Sequence, residues 1–449
     1  MIRWIICALL RLALRIYFRR IEVNGLDNVP RDSPVIFVLN HPNALVDPAF
    51  LLCLAPRRVS FLAKAPLFRM PILGYLVHAL DSLPVYRRQD EGEDVSRNIE
   101  TFAAARKLLA SGGTIAICPE GVSHDEPRLK ALKSGAARIA LGAVSSGGAM
   151  NLYVVPTGLY YTEKTMFRSS ALLYFGKPLA VEPVALESNG TPPRAAVREL
   201  SRRIEQALRD VILDAEHKEA LTLIERAERI FSADEMSGSE AKQSLTRELE
   251  FRRRFLQGYA FHRAHSPKRI AALVGRVARF EAELQQAGID PSDLSLRRSA
   301  TQTIISLFAR VSSFALLAPV ALLGALVHYP AYRLGGYLAR RFSREAEDVV
   351  STFKIVSATL FFPLTRIILA SLLWRISNWR VAMASILVIP AAGYVAIRLF
   401  EEIDSFAGSI LVLTLFVIRR RSFLRLLAER TLIRKEILAL GDEARLRGG

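Results

Sequence analysis

Apolar residues recur with a helical period through the N-terminal MIRWIICALLRLALRIYFRR. Arg3, Arg11, Arg15 and Arg19 fall on one side of the wheel, and Trp4, Ile5, Leu9, Leu12 and Ile16 on the other. The pattern predicts an amphipathic helix over 1–22 lying in a membrane interface, because an acid-free basic face suits anionic headgroups. A helix docked over a soluble core is the alternative. The arginines interrupt the apolar run that a signal peptide needs, and no cleavage site follows. From 23 to 190 the period shortens to apolar runs such as Ser33–Leu39, Thr114–Cys118 and Leu152–Val155, with helical segments between them. Strands spaced in this way predict an α/β domain around a largely buried sheet. Residues 191–300 return to a helical period dense in charge, as in RELSRRIEQALRD and RRRFLQGY, with breaks near Ser237-Gly238 and Ser266-Pro267. This stretch reads as a solvated helical subdomain.

Beyond 300 the polar face disappears. Val311–Tyr329 contains no Asp, Glu, Lys or Arg; Ile355–Leu373 is similar apart from Arg366, and Pro319 and Pro363 interrupt the two runs. Each is close to the ~20 residues that cross a bilayer. Val381–Phe400 and Ser405–Ile418 are expected to form a hairpin around Glu401, Glu402 and Asp404, with the acidic turn outside and Arg419-Arg420-Arg421 inside. The basic loop 333–354 should also be cytoplasmic, so the first run is expected to re-enter at its proline or to fold as a helical hairpin over 303–329. Region 301–449 is thus predicted to be membrane-embedded with a basic cytoplasmic tail; a soluble, buried helical domain is the alternative.

Charge changes this picture. The chain has 61 Lys plus Arg against 43 Asp plus Glu, a net +18, yet 51% of its 449 residues are hydrophobic and mean hydropathy is +0.23. A basic disordered tail or an ordinary soluble nucleic-acid binder would be polar, so the expected anionic partner is a phospholipid surface and no nucleic acid. Cys7, Cys53 and Cys118 are too few and too scattered for a disulfide framework, which points to a reducing cytoplasm. The composition, rich in Arg, Ala and Leu, fits a bacterial inner membrane.

Candidate chemistry begins where the first strand ends, at HPNALVDP (41–48). His41 at a strand-to-helix junction with Asp47 nearby can place a carboxylate on one ring nitrogen and leave the other for substrate, the arrangement of a general base. Read blandly, Asp47 caps a helix and His41 occupies a turn. In GGTIAICPEGVSHDEP (112–127) a strand runs into a turn where Glu120 and Ser123 could bind substrate hydroxyls, or which could be a plain strand-end turn. LPVYRRQD (83–90) offers strand-end arginines for a phosphate, although exposed arginines are usually solvated. Val154–Tyr161 and then Phe167-Arg168-Ser169 form a fourth segment. Cys118 reads as packing rather than as a nucleophile, and adjacency turns the His124 and Asp125 side chains apart. His217, His262, His265 and His328 lack ligand spacing, so neither a metal nor a cofactor is expected.

Taken in order, HPNALVDP, LPVYRRQD, PEGVSHDEP and FRS resemble the four blocks of the glycerolipid acyltransferase superfamily, and most closely its fungal-type glycerol-3-phosphate and dihydroxyacetone-phosphate branch. The likeness continues through RRRFLQGY, GIDPSDL and DVVSTFKI. Five residues separate His41 from Asp47, as in that branch, whereas Val122 stands where the branch has a second glycine and would tolerate a positive φ poorly. The resemblance implies an α/β acyltransferase core, a mixed sheet flanked by helices, with a charged helical insertion and a C-terminal all-α membrane region. It implies a membrane-bound O-acyltransferase on the cytoplasmic face that moves a fatty acyl group from acyl-CoA or acyl carrier protein to glycerol 3-phosphate or a related glycerol phosphate. His41 would be the base and Asp47 its orienting partner. Arg87 and Arg168 would bind the acceptor phosphate, Glu120, Gly121 and Ser123 would shape the glycerol site, and Lys133 would meet phosphates of CoA. Backbone N–H groups near Gly121 are the candidate oxyanion donors. A lysophosphatidate acyltransferase and a noncatalytic membrane scaffold on the same fold remain alternatives.

Overall fold

The computed structural model describes residues 2–124, 126–149, 151–215, 219–226, 244–287, 300–343, 347–418 and 420–448. Asp125, His217, Ser237-Gly238, GIDPSDL and Arg419 lie outside the described residues. The chain divides into two compact units, one of 1–214 with 338–356 and one of 215–337 with 357–449.

The first unit is built on an eight-stranded mixed sheet. Its strands are β1 Arg20–Asn24, β2 Val35–Leu39, β3 Ser60–Lys64, β4 Leu83–Val85, β5 Thr114–Ile117, β6 Tyr153–Tyr161, β7 Ser170–Phe175 and β8 Leu179–Ala180. The order is β1-β7-β6-β2-β5-β3-β4, with β8 on β6. β6, β2, β5, β3 and β4 run parallel to one another, while β7 is antiparallel to β6 and β1 parallel to β7. β2, VIFVL, is buried along its whole length, the uniformly apolar composition that a central parallel strand requires. Its alternate residues feed two cores. Ile36 and Val38 join Ile115, Val154 and helix residues such as Leu109 and Ile139 on one face. Val35, Phe37 and Leu39 join Phe18, Phe50, Val155 and Tyr161 on the other. The first helix of the charged stretch, Arg194–Arg209, belongs here: Val197, Leu200, Ile204 and Leu208 enter the first core.

The N-terminal helix, α1 (Ile2–Tyr17), lies on the second face against α2 (Val46–Leu54). Arg3 is half-buried and donates to the Leu80 and Val59 carbonyls, both at 2.7 Å, and Arg11, though exposed, donates to the Cys53 carbonyl at 2.9 Å, while Arg15 and Arg19 are exposed. Exposed arginine was expected to meet lipid headgroups, but these two satisfy carbonyls of the domain. The apolar side points outward, with Trp4 75% exposed beside exposed Ile5, Leu9, Leu12 and Ile16.

In the second unit two charged helices, Leu245–His265 and Pro267–Ala287, pack against the C-terminal helix Arg420–Gly448. Arg276 donates to Glu429 at 2.6 Å and Glu436 at 3.1 Å, and Arg269 to Glu443 at 2.7 Å. The membrane candidates are longer than the sequence pattern indicates. Ala300–Ser343 is one helix that passes through Pro319 and Pro330, with no re-entry or hairpin over 303–329. Trp379–Ile418 is likewise one helix, so the hairpin expected at the acidic residues is absent. Glu401-Glu402-Ile403-Asp404 contains no Gly or Pro, and charge alone does not break a helix whose backbone bonds stay intact. Among the described residues three stretches are long and apolar enough to cross a membrane: Val311–Phe342, Val349–Ile376 and Trp379–Glu401. Small residues let two of these helices approach closely, since a Cβ on Gly324 would lie 2.2 Å from the Ala392 carbonyl oxygen.

Candidate active site

Five parallel strands point their carboxyl ends to one edge, and the loops leaving that edge carry the chemistry, as is general for open α/β sheets. β2 leads to His41, β5 to Glu120, β6 ends at Tyr161, β3 ends at Lys64 and β4 leads to Arg87. The β2–β5 register, Val38 opposite Ile117, brings His41 level with Glu120 when continued past the strand ends. Asn40 fixes β2 to β6, donating through Nδ2 to the Leu159 carbonyl (3.0 Å) and accepting from the Leu159 N–H (2.8 Å).

Asp47, at the start of α2, is completely buried. Its Oδ2 lies 2.9 Å from His41 Nδ1 and accepts from the Asn43 N–H at 2.7 Å, while Oδ1 accepts from the Tyr161 hydroxyl at 2.6 Å. Both carboxylate oxygens are therefore committed. The His41 side chain is 20% exposed, and with Nδ1 on the carboxylate its Nε2 is the nitrogen left for substrate. The intervening loop is tight: Ala44 sits at φ 30, a strained value for a residue with a Cβ. Tyr161 was visible in the fourth segment, but only the sheet order shows that its strand adjoins β2.

The second cluster surrounds the Pro119-Glu120-Gly121 turn. Glu120 Oε2 accepts from the Lys130 N–H at 2.8 Å and lies 2.5 Å from His124 Nε2, whose backbone N–H reaches the His41 carbonyl at 3.3 Å. Glu120 Oε1 and His124 Nδ1 are buried without a partner. Gly121 adopts φ 73, and a Cβ there would stand 2.5 Å from Lys133 Nζ. Val122 is not among the described positive-φ residues, so the turn does not need the second glycine. The Gly121 N–H is spent on the Cys118 carbonyl at 3.0 Å, which removes it from the candidate oxyanion donors.

Arg87 grips Asp90 with a two-pronged contact, Nε to Oδ2 at 2.7 Å and Nη2 to Oδ1 at 2.6 Å, and donates through Nη1 to the Gly121 carbonyl at 2.6 Å. The Arg87–Asp90 hydrogen bonding chiefly, with the charges of Arg87, Lys64 and Lys133 adding to it, holds the Asp90 carboxyl below the usual carboxylate range. Three cations thus converge beside the Glu120 turn. Lys64 was missed in the sequence, although its place at the end of a parallel strand was the available signal. Arg168 stands elsewhere: its loop joins β6 to β7, on the opposite flank of β2 from β5, β3 and β4, and its N–H bonds the Tyr17 carbonyl at 2.7 Å. Ser123 lies within the Glu120 cluster's loop. Burial beside Asp47 and Glu120 pushes the Cys118 thiol well up, so it stays an uncharged packing group.

Two family models account for most of the chain: "Acyltransferase" over residues 20–160 and "Glycerol-3-phosphate acyltransferase 2 C-terminal domain" over 224–444. The chain belongs to the glycerolipid acyltransferase superfamily. Within it, the chain is 28% identical over 281 residues to glycerol-3-phosphate O-acyltransferase 2 of Saccharomyces cerevisiae, covering 60% of this chain and 37% of the relative. It is 27% identical over 450 residues to glycerol-3-phosphate O-acyltransferase 1 of the same yeast, covering 78% and 58%. A 1-acyl-sn-glycerol-3-phosphate acyltransferase of Borreliella burgdorferi is 27% identical over 171 residues, covering 37% and 64%. The matched stretches thus take in between about a third and three fifths of the two yeast proteins. Both clusters described above lie within residues 20–160, apart from Tyr161 at its boundary.

Proposed function

We propose that this superfamily member is a membrane-bound O-acyltransferase that moves a fatty acyl group from acyl-CoA to glycerol 3-phosphate, giving lysophosphatidate for phospholipid synthesis. The observation that carries the reading is His41, held through Nδ1 on a fully bonded, buried Asp47 with Nε2 left for substrate. Nε2 takes the proton of the acceptor hydroxyl as that oxygen attacks the thioester carbonyl, and Asp47 stabilises the imidazolium. The tetrahedral intermediate expels the CoA thiolate, to which His41 returns the proton, so no acyl-enzyme forms. Glu120, with Oε1 unpartnered, accepts from a glycerol hydroxyl. Arg87, Lys64 and Lys133 supply the charge for phosphate groups of the acceptor or of CoA, and Gly121 and Ser123 shape the same turn. Arg168 serves from across β2.

The outward apolar face of α1 and the three apolar helices favour substrates partitioned at a membrane, on the cytoplasmic side; the composition favours a bacterial inner membrane. A panel of purified protein with labelled glycerol 3-phosphate, dihydroxyacetone phosphate and lysophosphatidate, each with oleoyl-CoA and with oleoyl-acyl carrier protein, tests the reading. Glycerol 3-phosphate with oleoyl-CoA should give the highest kcat/KM. A higher value for lysophosphatidate would move the acceptor assignment to the runner-up, and no transfer to any acceptor would favour a noncatalytic scaffold.

A further inference from the structure

We infer that Tyr161 is a positioning residue of the catalytic chain, its hydroxyl holding Asp47 ionised and aimed at His41. The inference rests on the proposed role of His41 as base. A carboxylate on a helix can rotate to offer either oxygen to a neighbour, and a buried oxygen without a donor is costly. Here the Asn43 N–H shares Oδ2 with His41 while Tyr161 alone occupies Oδ1 at 2.6 Å. Rotation of the carboxylate would break both.

The backbone fixes the hydroxyl in place. Asn40 clamps Leu159 through both backbone groups, and the two-residue period of a strand puts Tyr161 on the same face as Leu159. That is the face of the core holding Phe50 of α2, the helix that carries Asp47. The Tyr161 ring is packed between Phe18, at 5.7 Å, and Phe50, at 5.8 Å.

The titratable groups facing Asp47 are His41 from the loop after β2, Tyr161 from β6 and Cys118 from the end of β5, with Glu120 beyond Cys118. Burial beside Asp47 pushes the Tyr161 hydroxyl well above its ordinary range, so it remains a donor, and Cys118 stays neutral. Asp47 thus has two donors besides His41, the Asn43 N–H on Oδ2 and the Tyr161 hydroxyl on Oδ1, and only the second belongs to a side chain that substitution can remove. Removing that donor disfavours the unprotonated pair, so the pair keeps its proton to a higher pH.

Tyr161→Phe keeps the ring and removes the oxygen. It is expected to lower kcat/KM by about 10- to 100-fold, the scale of one hydrogen bond to a charged group, with both KM values within about twofold of wild type. The acid limb of the pH–rate profile should rise by about one unit. A second measurement needs no substrate: modification of His41 by diethyl pyrocarbonate across pH, followed by peptide mass spectrometry, reports the neutral imidazole directly. Its midpoint should rise by the same amount in Tyr161→Phe and stay put in Tyr160→Phe, which changes the opposite face of the strand. A midpoint that does not move in Tyr161→Phe, with or without a fall in kcat/KM, overturns the inference. Absence of acyl transfer in the wild type would defeat the proposed function while leaving the modification midpoint to judge Tyr161.

Discussion

The first unit holds two pairs of histidine and carboxylate, wired in opposite ways. In His41–Asp47 the carboxylate is saturated by three donors and the imidazole keeps a free nitrogen. In His124–Glu120 the imidazole spends Nε2 on the carboxylate and buries Nδ1 without a partner, and here the carboxylate too keeps an open oxygen. A saturated carboxylate stabilises the charge that appears on its histidine, which suits the first pair to the proton transfer proposed for it. An unsaturated one is open to a donor from outside, which suits the second to the acceptor hydroxyl proposed for it. Residue identity does not distinguish the two; the number of donors on each carboxylate does.

That contrast can be broken most severely at His41. His41→Ala should lower kcat by about 10³-fold or more, with Asp47→Asn close behind because it leaves the wrong tautomer, as measured under saturating substrates. His124→Ala should instead leave kcat within a few fold and raise the acceptor KM by about tenfold; equal losses of kcat at both histidines would erase the distinction. Glu120→Gln, which keeps the shape and removes the charge, should also raise the acceptor KM by about tenfold while leaving the thioester KM unchanged. At Gly121, alanine meets both the left-handed backbone and Lys133 Nζ. Gly121→Ala should cost about 1–2 kcal/mol, read as a lower thermal midpoint with a raised acceptor KM.

The smallest effect concerns the support of the second pair. Arg87 ties Asp90 to the Gly121 carbonyl, and the depressed Asp90 carboxyl sets the sign of the pH dependence. Its contribution is present above the ordinary carboxylate pKa and is lost as pH falls through the lower folded value. Asp90→Asn should therefore be less stable than wild type at pH 7 by about 1 kcal/mol, a modest figure for a pair near solvent. The gap should close only as the pH falls below the ordinary carboxylate value and through the lower one at which folded Asp90 takes up its proton.

Much of this site could be read before any coordinates. His41, Asp47, Glu120 and Gly121 follow apolar runs whose strand character is plain, and β2 lies within the predicted Ser33–Leu39. Tyr161 and Lys64 were harder because each matters only through its neighbour in the sheet: β6 beside β2, and β3 between β5 and β4, an order that apolar periodicity does not encode. The three-residue step from Arg87 to Asp90 was open to reading, but an arginine assigned to an external phosphate is easily credited with having no internal partner. The arginines of α1 show the same bias, since Arg3 and Arg11 answer carbonyls of the domain. In the membrane region composition located the spans, whereas continuity of the helices through Pro319, Pro330 and the acidic residues 401–404 depends on backbone bonds that charge patterning does not reveal.

The most direct test is a single paired assay with oleoyl-CoA and labelled glycerol 3-phosphate, comparing purified wild-type protein with His41→Ala in detergent micelles. The account predicts labelled lysophosphatidate from the wild type and about 10³-fold less from the variant. Equal product from both proteins would contradict it.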